Sequence, residues 1–382
     1  MPRVLFTAST YSHIRNFHRP YLREFAARGW EVHVACGGAR QDIPEADRLI
    51  DVPFEKSVAA PRNFAAALAL RREIARGNYA LISCHTSLAA CFTRMAVLGL
   101  RRRPLTVNTA HGYLFDERTH GAKLALLLGA ERATAGVTDV LMTMNAWDTQ
   151  LALRERLGRR IVEIPGMGVD FSRFDRAEDP AARRALRGEW GFGDDDFLLV
   201  YAAEFSARKS QQTLLHALTL LPERVGLLLP GDGAEREACI ALAEKLGVRR
   251  RAAFPGQIRD MAPWYAAADA AVSSSRSEGL PFNIMEAMYC SLPVVATDVK
   301  GHRDLIADGA NGLLYPFGSA QRCAEQIARL AGDGALSHRL GRAAHESVLP
   351  YALDRVLPQV MAVYDEALGA SPLRIDSAGA MR

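Results

Sequence analysis

The sequence predicts an α/β protein made of two parallel-sheet domains, each covered by helices on both faces. Three observations carry this. The chain has 382 residues, more than one hydrophobic core usually organises. Short apolar runs of strand length alternate with helix-length segments through both halves. A polar stretch over 170–196, rich in Asp, Arg, Glu and Gly, separates those halves.

In the first half the strands are expected at Val4–Ala8, Glu31–Cys36, Leu81–Cys84, Leu105–Thr109, Val140–Met144 and Ile161–Ile164. One helix is expected over Phe17–Arg28, with Phe17, Leu22, Phe25 and Ala26 on one side and Gly29 as its stop. In the second half the strands are Phe197–Ala202, Val225–Leu229, Ala252–Phe254, Ala270–Ser274, Pro293–Thr297 and Gly312–Tyr315. The organisation is therefore a Rossmann-like domain over 1–169, a linker over 170–196 and a second Rossmann-like domain over 197–349. A final helix over 350–368 is expected to cross back to the first domain. The tail 369–382 is small and polar, a composition that does not fold by itself. Ligands of such sheets sit beyond the carboxyl ends of the strands, so the two domains are expected to face a cleft.

Composition excludes several classes. Hydrophobic residues make up 49% and charged residues 24%, so the chain is neither disordered nor low-complexity. Cys36, Cys84, Cys91, Cys239, Cys290 and Cys323 show no C-x-x-C spacing, which removes zinc-ribbon and redox-dithiol readings. They read as reduced cytosolic thiols. No His/Cys cluster is read from the sequence, so no metal is expected. The start of the chain turns polar too early for a signal peptide, and no stretch reads as a membrane span. Residues 1–170 carry a net charge of +7 and the remainder −3. A basic first half attracts an anionic partner: a lipid surface, a diphosphate or nucleic acid. The same excess also reads as an ordinary solvated surface.

The most informative segment runs from Ser273 through Glu278-Gly279-Leu280-Pro281-Phe282 to Glu286. A buried strand ends near Ser275, and Pro281 marks a helix start. Such a helix end offers free N–H groups and a positive dipole to a diphosphate. Glu278 precedes the helix and Glu286 lies on its first turns, so both carboxylates can accept hydroxyls from one bound sugar compound. Structurally, the same two residues read as a helix-cap carboxylate and a surface glutamate.

This run resembles the Glu-x7-Glu signature of retaining glycosyltransferases of family 4, which have the GT-B fold. The resemblance spans nearly the whole chain. It includes Leu229-Pro230-Gly231-Asp232-Gly233, Phe254-Pro255-Gly256, Tyr265-Ala266-Ala267-Ala268-Asp269, Leu292–Thr297, Asn311–Leu314 and Pro165–Asp170 with Phe174. Within it, looser similarity points to bacterial exopolysaccharide and capsule transferases.

The resemblance implies roles. Glu286 binds the nucleotide's ribose, Glu278 the transferred sugar, and the backbone of Gly279, Leu280, Pro281 and Phe282 lies along the diphosphate. Gln257, Ile258 and Arg259 lie near the base. Lys209 matches the family's phosphate-neutralising lysine. The chain departs from the pattern nearby: Glu204 stands where arginine is usual and Ser210 replaces glycine, leaving Arg208 as the candidate second cation. His111, closing a first-domain strand, matches the family's strand-end histidine beside the donor sugar. The loop Ser9–His18 lacks the family's glycines and offers His13, Arg15 and His18 to the acceptor. His85-Thr86-Ser87 reads equally as a helix cap or a ligand.

The implied activity is transfer of a hexose or N-acetylhexosamine, with retention, from a UDP-sugar to a polyprenyl-diphosphate-linked sugar in surface polysaccharide synthesis. No cofactor or metal is expected, and nucleic acid is not the expected partner. The place is the cytoplasm, with peripheral contact to an anionic membrane. Two other readings share the fold: a UDP-sugar epimerase and a non-catalytic nucleotide-sugar-binding protein.

Overall fold

The computed structural model describes residues 1–55, 60–175 and 179–370. The chain divides into two compact units. One comprises Met1–Gly168 and the last helix from Asp354 on; the other is Val169–Leu353.

The first unit contains the strands β1 (Arg3–Ala8), β2 (Glu31–Cys36), β3 (Arg48–Asp51), β4 (Leu81–His85), β5 (Leu105–Ala110), β6 (Val140–Thr143) and β7 (Arg160–Glu163). All pair in parallel, in the order β3-β2-β1-β4-β5-β6-β7. β1, β4, β5 and β6 are almost wholly buried, as near-continuous apolar runs in a doubly covered sheet must be. The chain starts at β1, winds outward to β3, then returns to place β4 on the other side of β1. The strand order therefore reverses between β1 and β4, where such sheets bind ligands.

The second unit repeats the plan with β8 (Phe197–Val200), β9 (Val225–Pro230), β10 (Ala252–Gly256), β11 (Ala270–Ser273), β12 (Val294–Thr297) and β13 (Leu313–Tyr315). Their order is β10-β9-β8-β11-β12-β13, again all parallel, with the reversal between β8 and β11.

Two expectations need correction. The helix expected near Phe17–Arg28 is Arg19–Ala27, and a separate helix not expected from the sequence, Tyr11–Phe17, precedes it, the two divided at His18. Pro20 explains the break: its ring would clash with the carbonyl four residues back, so the helix restarts with Pro20 in its first turn. The stretch 170–196 is not a free connector. Its helix Pro180–Glu189 is capped by Asp179 and docks on the second unit through Arg187, only 1% exposed. Arg187 donates to the carbonyls of Gly193 at 3.0 Å and Ala267 at 3.1 Å, and to Asp269 Oδ2 at 3.2 Å. Arg183 holds the other Asp269 oxygen at 2.6 Å.

The last helix, Leu353–Gly369, packs within the first unit. Tyr364 Oη lies 2.7 Å from Ser83 Oγ, and Arg28 pairs with Asp365 at 2.8 Å. The rest of the polar tail, from 371 on, lies outside the described residues. No helix of the described residues is long and apolar enough to cross a membrane.

Candidate functional site

The loops leaving β8 and β11 at the reversal point of the second sheet meet around one carboxylate. Glu278, 7% exposed, accepts from Lys209 Nζ at 2.6 Å on Oε1 and from Arg208 Nη1 at 2.8 Å on Oε2. Burial by itself would raise this carboxyl. The Lys209 ammonium and the Arg208 guanidinium overcome that and hold it well below the usual carboxylate range. Glu278 is therefore ionised, and its charge is matched by a buried lysine and a half-exposed arginine.

The clamp is held from behind. The Lys209 carbonyl accepts from Ser274 Oγ at 2.9 Å and from Tyr201 Oη at 3.2 Å, and the Arg208 carbonyl accepts from Arg276 N at 2.8 Å. These bonds tie the loop after β8 to the segment after β11, so both cations sit on a fixed backbone. Ser210 takes the left-handed conformation (φ +51°) that suits the glycine usual there. Glu204, at the usual arginine position, is exposed, and Arg208 supplies the second cation.

Gly279, Leu280 and Pro281 follow Glu278 and are buried, and the helix Phe282–Tyr289 begins after Pro281. Glu286 lies on that helix, where its Oε2 accepts from Tyr265 Oη at 3.0 Å. Burial pushes the Glu286 carboxyl upward, and the Tyr265 hydroxyl and Arg173 only partly offset this. A half-desolvated acceptor with one bond made has capacity for further hydroxyl donors. Ile258 is half-buried just beyond β10. The turn after β9 approaches closely: Gly231 N donates to the Gly256 carbonyl at 2.8 Å, and a Cβ on Gly231 would stand 2.0 Å from the Ala203 oxygen.

Two neighbours of Glu278 were not singled out from the sequence. Gly301 has φ +82°, and a Cβ there would lie 2.8 Å from both Glu278 Cβ and the Gly279 oxygen. His302 is fully buried, its Nδ1 2.8 Å from the Thr297 carbonyl. Burial lowers it to about 4 although Glu278 pulls it back, so it is neutral. The signal for both is Gly301-His302 in the loop after β12, beyond a strand end of the same sheet.

In the first unit the reversal point gathers histidines. His13 Nε2 and His18 Nε2 are 3.2 Å apart, and His85 Nδ1 lies 3.2 Å from His111 Nε2. The His18 and His85 rings are 3.8 Å apart between centroids, and those of His13 and His111 4.7 Å. The sequence offered no histidine cluster; the fold builds one from three separate segments. His85 does not cap the following helix: it is buried among these rings, and Thr86 accepts from Ser9 N at 2.9 Å instead. Arg15 is exposed on the helix that carries His13, apart from the ring cluster.

Two doubly wound units, the second with a cation-clamped carboxylate and a helix start at its reversal point, follow the plan of GT-B transferases. The comparisons with known proteins agree. The family model described as "Glycosyl transferases group 1" matches residues 182–347, and the one described as "Glycosyltransferase Family 4" matches residues 21–173. The protein EpsD of Bacillus subtilis (strain 168) is 34% identical over 367 residues, covering 95% of this chain and 96% of its own. The lipopolysaccharide core biosynthesis glycosyltransferase LpsE of Rhizobium meliloti (strain 1021) is 39% identical over 145 residues, 38% of this chain and 42% of that one. The chain belongs to the group 1 glycosyl transferases of family 4. Among solved structures, HepE of Anabaena in complex with UDP and glucose shares the fold at TM-score 0.78 and 19% identity, over 96% of this chain and 100% of that one.

Proposed function

We propose that the protein transfers a hexose or N-acetylhexosamine from a UDP-sugar to a sugar carried on a polyprenyl diphosphate, with retention of configuration. The reaction belongs to surface polysaccharide synthesis at the inner face of the membrane. One observation carries the reading: Glu278 held between Lys209 and Arg208, one loop before the helix bearing Glu286, at the reversal point of the second sheet. The UDP and glucose bound by the structural neighbour HepE support the donor class. LpsE, whose printed role is in lipopolysaccharide core biosynthesis, supports a role in surface polysaccharide synthesis.

In this reading Glu286 accepts the ribose hydroxyls, and the backbone of Gly279, Leu280, Pro281 and Phe282 lies along the diphosphate. Ile258 borders the base. The donor diphosphate competes with Glu278 for Lys209 and Arg208. As it takes up the two cations, Glu278 becomes available to the sugar hydroxyls. The bond from the anomeric carbon to the diphosphate oxygen breaks, and the acceptor oxygen bonds to that carbon on the same face. The acceptor's proton passes to the departing diphosphate. No side chain acts as nucleophile; the protein supplies positioning and charge stabilisation. His13 and Arg15 meet the acceptor, and His111 offers a neutral imidazole beside them; His18 is fully buried and supports His13 through their 3.2 Å Nε2–Nε2 contact. Metal is not required for these steps, because Lys209 and Arg208 carry the charge of the leaving group.

The test is incubation with UDP-sugars and polyprenyl-diphosphate-linked sugars, followed by mass measurement of the lipid-linked product. The reading predicts a product one sugar heavier. It also predicts that Lys209→Ala lowers kcat more than it raises KM, because negative charge grows on the diphosphate in the transition state. Donor consumption with no acceptor-dependent product would overturn it.

A further inference from the structure

We propose that an apolar groove in the first unit, between the helices Pro61–Gly77, Ser87–Val97 and Gly121–Ala135, holds the first isoprene units of the acceptor's polyprenyl chain. The proposal deepens the transferase reading and rests on it for the identity of the lipid. The groove encloses about 320 Å³. Phe64 stands on the first helix, Leu88 and Met95 on the second, and Leu126 and Leu127 on the third, with Leu114 added by the loop after β5. Ser87, Cys91 and Met95 follow one another along a single helix for about 12 Å, the length of about two or three isoprene units. Among the described lining residues only Glu131 is charged, and its Oε2 accepts from the fully buried Arg94 at 2.8 Å. The walls therefore suit hydrocarbon.

The third helix is built to be covered. From Leu124 to Ala130 it is apolar on every side, yet Ala125, Leu126 and Gly129 are exposed. A helix that is apolar all round is ordinarily buried. Phe64, Leu114 and Leu126, on three different segments of the same groove, are 54%, 49% and 62% exposed. Single exposed apolar residues need no partner, but a gathered set of large ones marks a binding surface.

Two features select a lipid with an anionic head. Ser87 Oγ donates to the Gly112 carbonyl at 3.3 Å, and Gly112 follows His111, the imidazole placed beside the acceptor. A chain lying along Ser87–Met95 therefore starts where the acceptor's sugar and diphosphate stand in that reading. Arg62, Arg72, Arg118 and Lys123 are exposed on the same helices and loop, and they give the diphosphate matching charge.

The test measures binding, independently of turnover. The full chain is titrated by calorimetry with inorganic pyrophosphate and with geranyl, farnesyl and geranylgeranyl diphosphates, each below its micelle concentration. Burying one carbon tightens binding by about fourfold, so farnesyl diphosphate is expected to bind at least about 100-fold more tightly than pyrophosphate. Affinity then levels off between farnesyl and geranylgeranyl diphosphate, because the groove is full, whereas partition onto a surface or into a bilayer rises with every unit. Leu126→Gln, at an exposed position, is expected to weaken farnesyl diphosphate by about 5–10-fold, half a leucine's burial. Ala130→Phe, which fills the groove, weakens it further. Both variants keep the pyrophosphate affinity, and circular dichroism shows that they are folded. No gain over pyrophosphate, a rise without levelling, or unchanged affinity in both folded variants would overturn the proposal. So would a concentration-dependent dimer that Leu126→Gln abolishes in light scattering, since a second copy would then be the cover. Sugar transfer to lipid-linked acceptors with no chain-length step in binding would leave the transferase reading standing and overturn the groove. A levelled series lost in both variants, with no transfer to any lipid-linked sugar, would support the groove as an isoprenoid site and overturn the transferase reading.

Discussion

Replacing Lys209 by alanine tests the clamp on Glu278 as a structural element before any substrate is considered. Two unit charges 4 Å apart attract by about 4 kcal/mol at an effective dielectric near 20. Lys209 Nζ stands 2.6 Å from Glu278 Oε1, and both side chains are about nine-tenths buried. Removing one partner of a buried pair typically costs about 3–5 kcal/mol, because the other charge is left uncompensated. Arg208 remains on Oε2 but is 49% exposed and screened, so the lower end applies, about 3 kcal/mol. Glu278→Ala strands the buried lysine and is expected to cost a similar amount. The double variant removes both charges and is expected to cost little more than either single one, a coupling of about 3 kcal/mol. Urea unfolding reads this best in a Trp30→Phe, Trp147→Phe background. The two remaining indoles, Trp190 and Trp264, lie in the second unit 5.9 Å apart, so fluorescence follows that unit alone. Additive losses, or a Lys209→Ala cost under about 0.5 kcal/mol, would show that the three charges do not form one buried unit.

Gly301→Ala is expected to destabilise the second unit by at least about 2 kcal/mol, since it adds left-handed strain to a contact with Glu278 and Gly279 that cannot relax; a neutral result in the same unfolding assay would refute the close approach. Ser210→Gly is expected to raise stability by about 0.5 kcal/mol, the relief of its positive φ less the added chain entropy, and a loss of 1 kcal/mol would contradict this. Acid should weaken the first unit early. His13, His18, His85 and His111 have folded-state values lowered by burial, so the unfolded chain binds more protons below pH about 6.5. Stability then falls as pH drops from 6.5 toward 4, each ring contributing up to about 1.4 kcal/mol per pH unit, and a flat profile across that window in thermal unfolding would refute neutral burial.

Much of the scaffold is legible in the sequence because a parallel sheet covered on both faces needs continuous apolar strands. Val225–Leu229 and Ala270–Ser274 announce themselves this way. β3 does not: Arg48-Leu49-Ile50-Asp51 is a half-exposed edge strand with no apolar run to betray it. The docking of the 170–196 stretch was hidden for a different reason. It depends on one buried arginine, Arg187, reaching carbonyls on another element, and composition reports only that the segment is polar.

The site divides along the same line. Glu278 and Glu286 are readable because one short segment carries both with the helix start between them. The Arg208 arm of the clamp is a matter of side-chain direction, and the sequence left it open. The histidine cluster joins the helix after β1 and its end at His18 to the end of β4 and the residue after β5, so local spacing shows at most the His13–His18 pair. Ring proximity across a strand-order reversal is a property of topology, and it appears only once the chain has folded.

The central claim is that the second unit holds a nucleotide diphosphate through Glu286 and the helix start before it. Calorimetric titration of the full chain with UDP, GDP and ADP, on the wild type and on Glu286→Ala, tests it most directly. The account predicts that UDP binds and that the variant loses about 1.5–3 kcal/mol, roughly 10- to 150-fold in affinity, because a charged acceptor is removed from a pair of hydroxyls. UDP affinity unchanged in Glu286→Ala, with the variant folded, would contradict it.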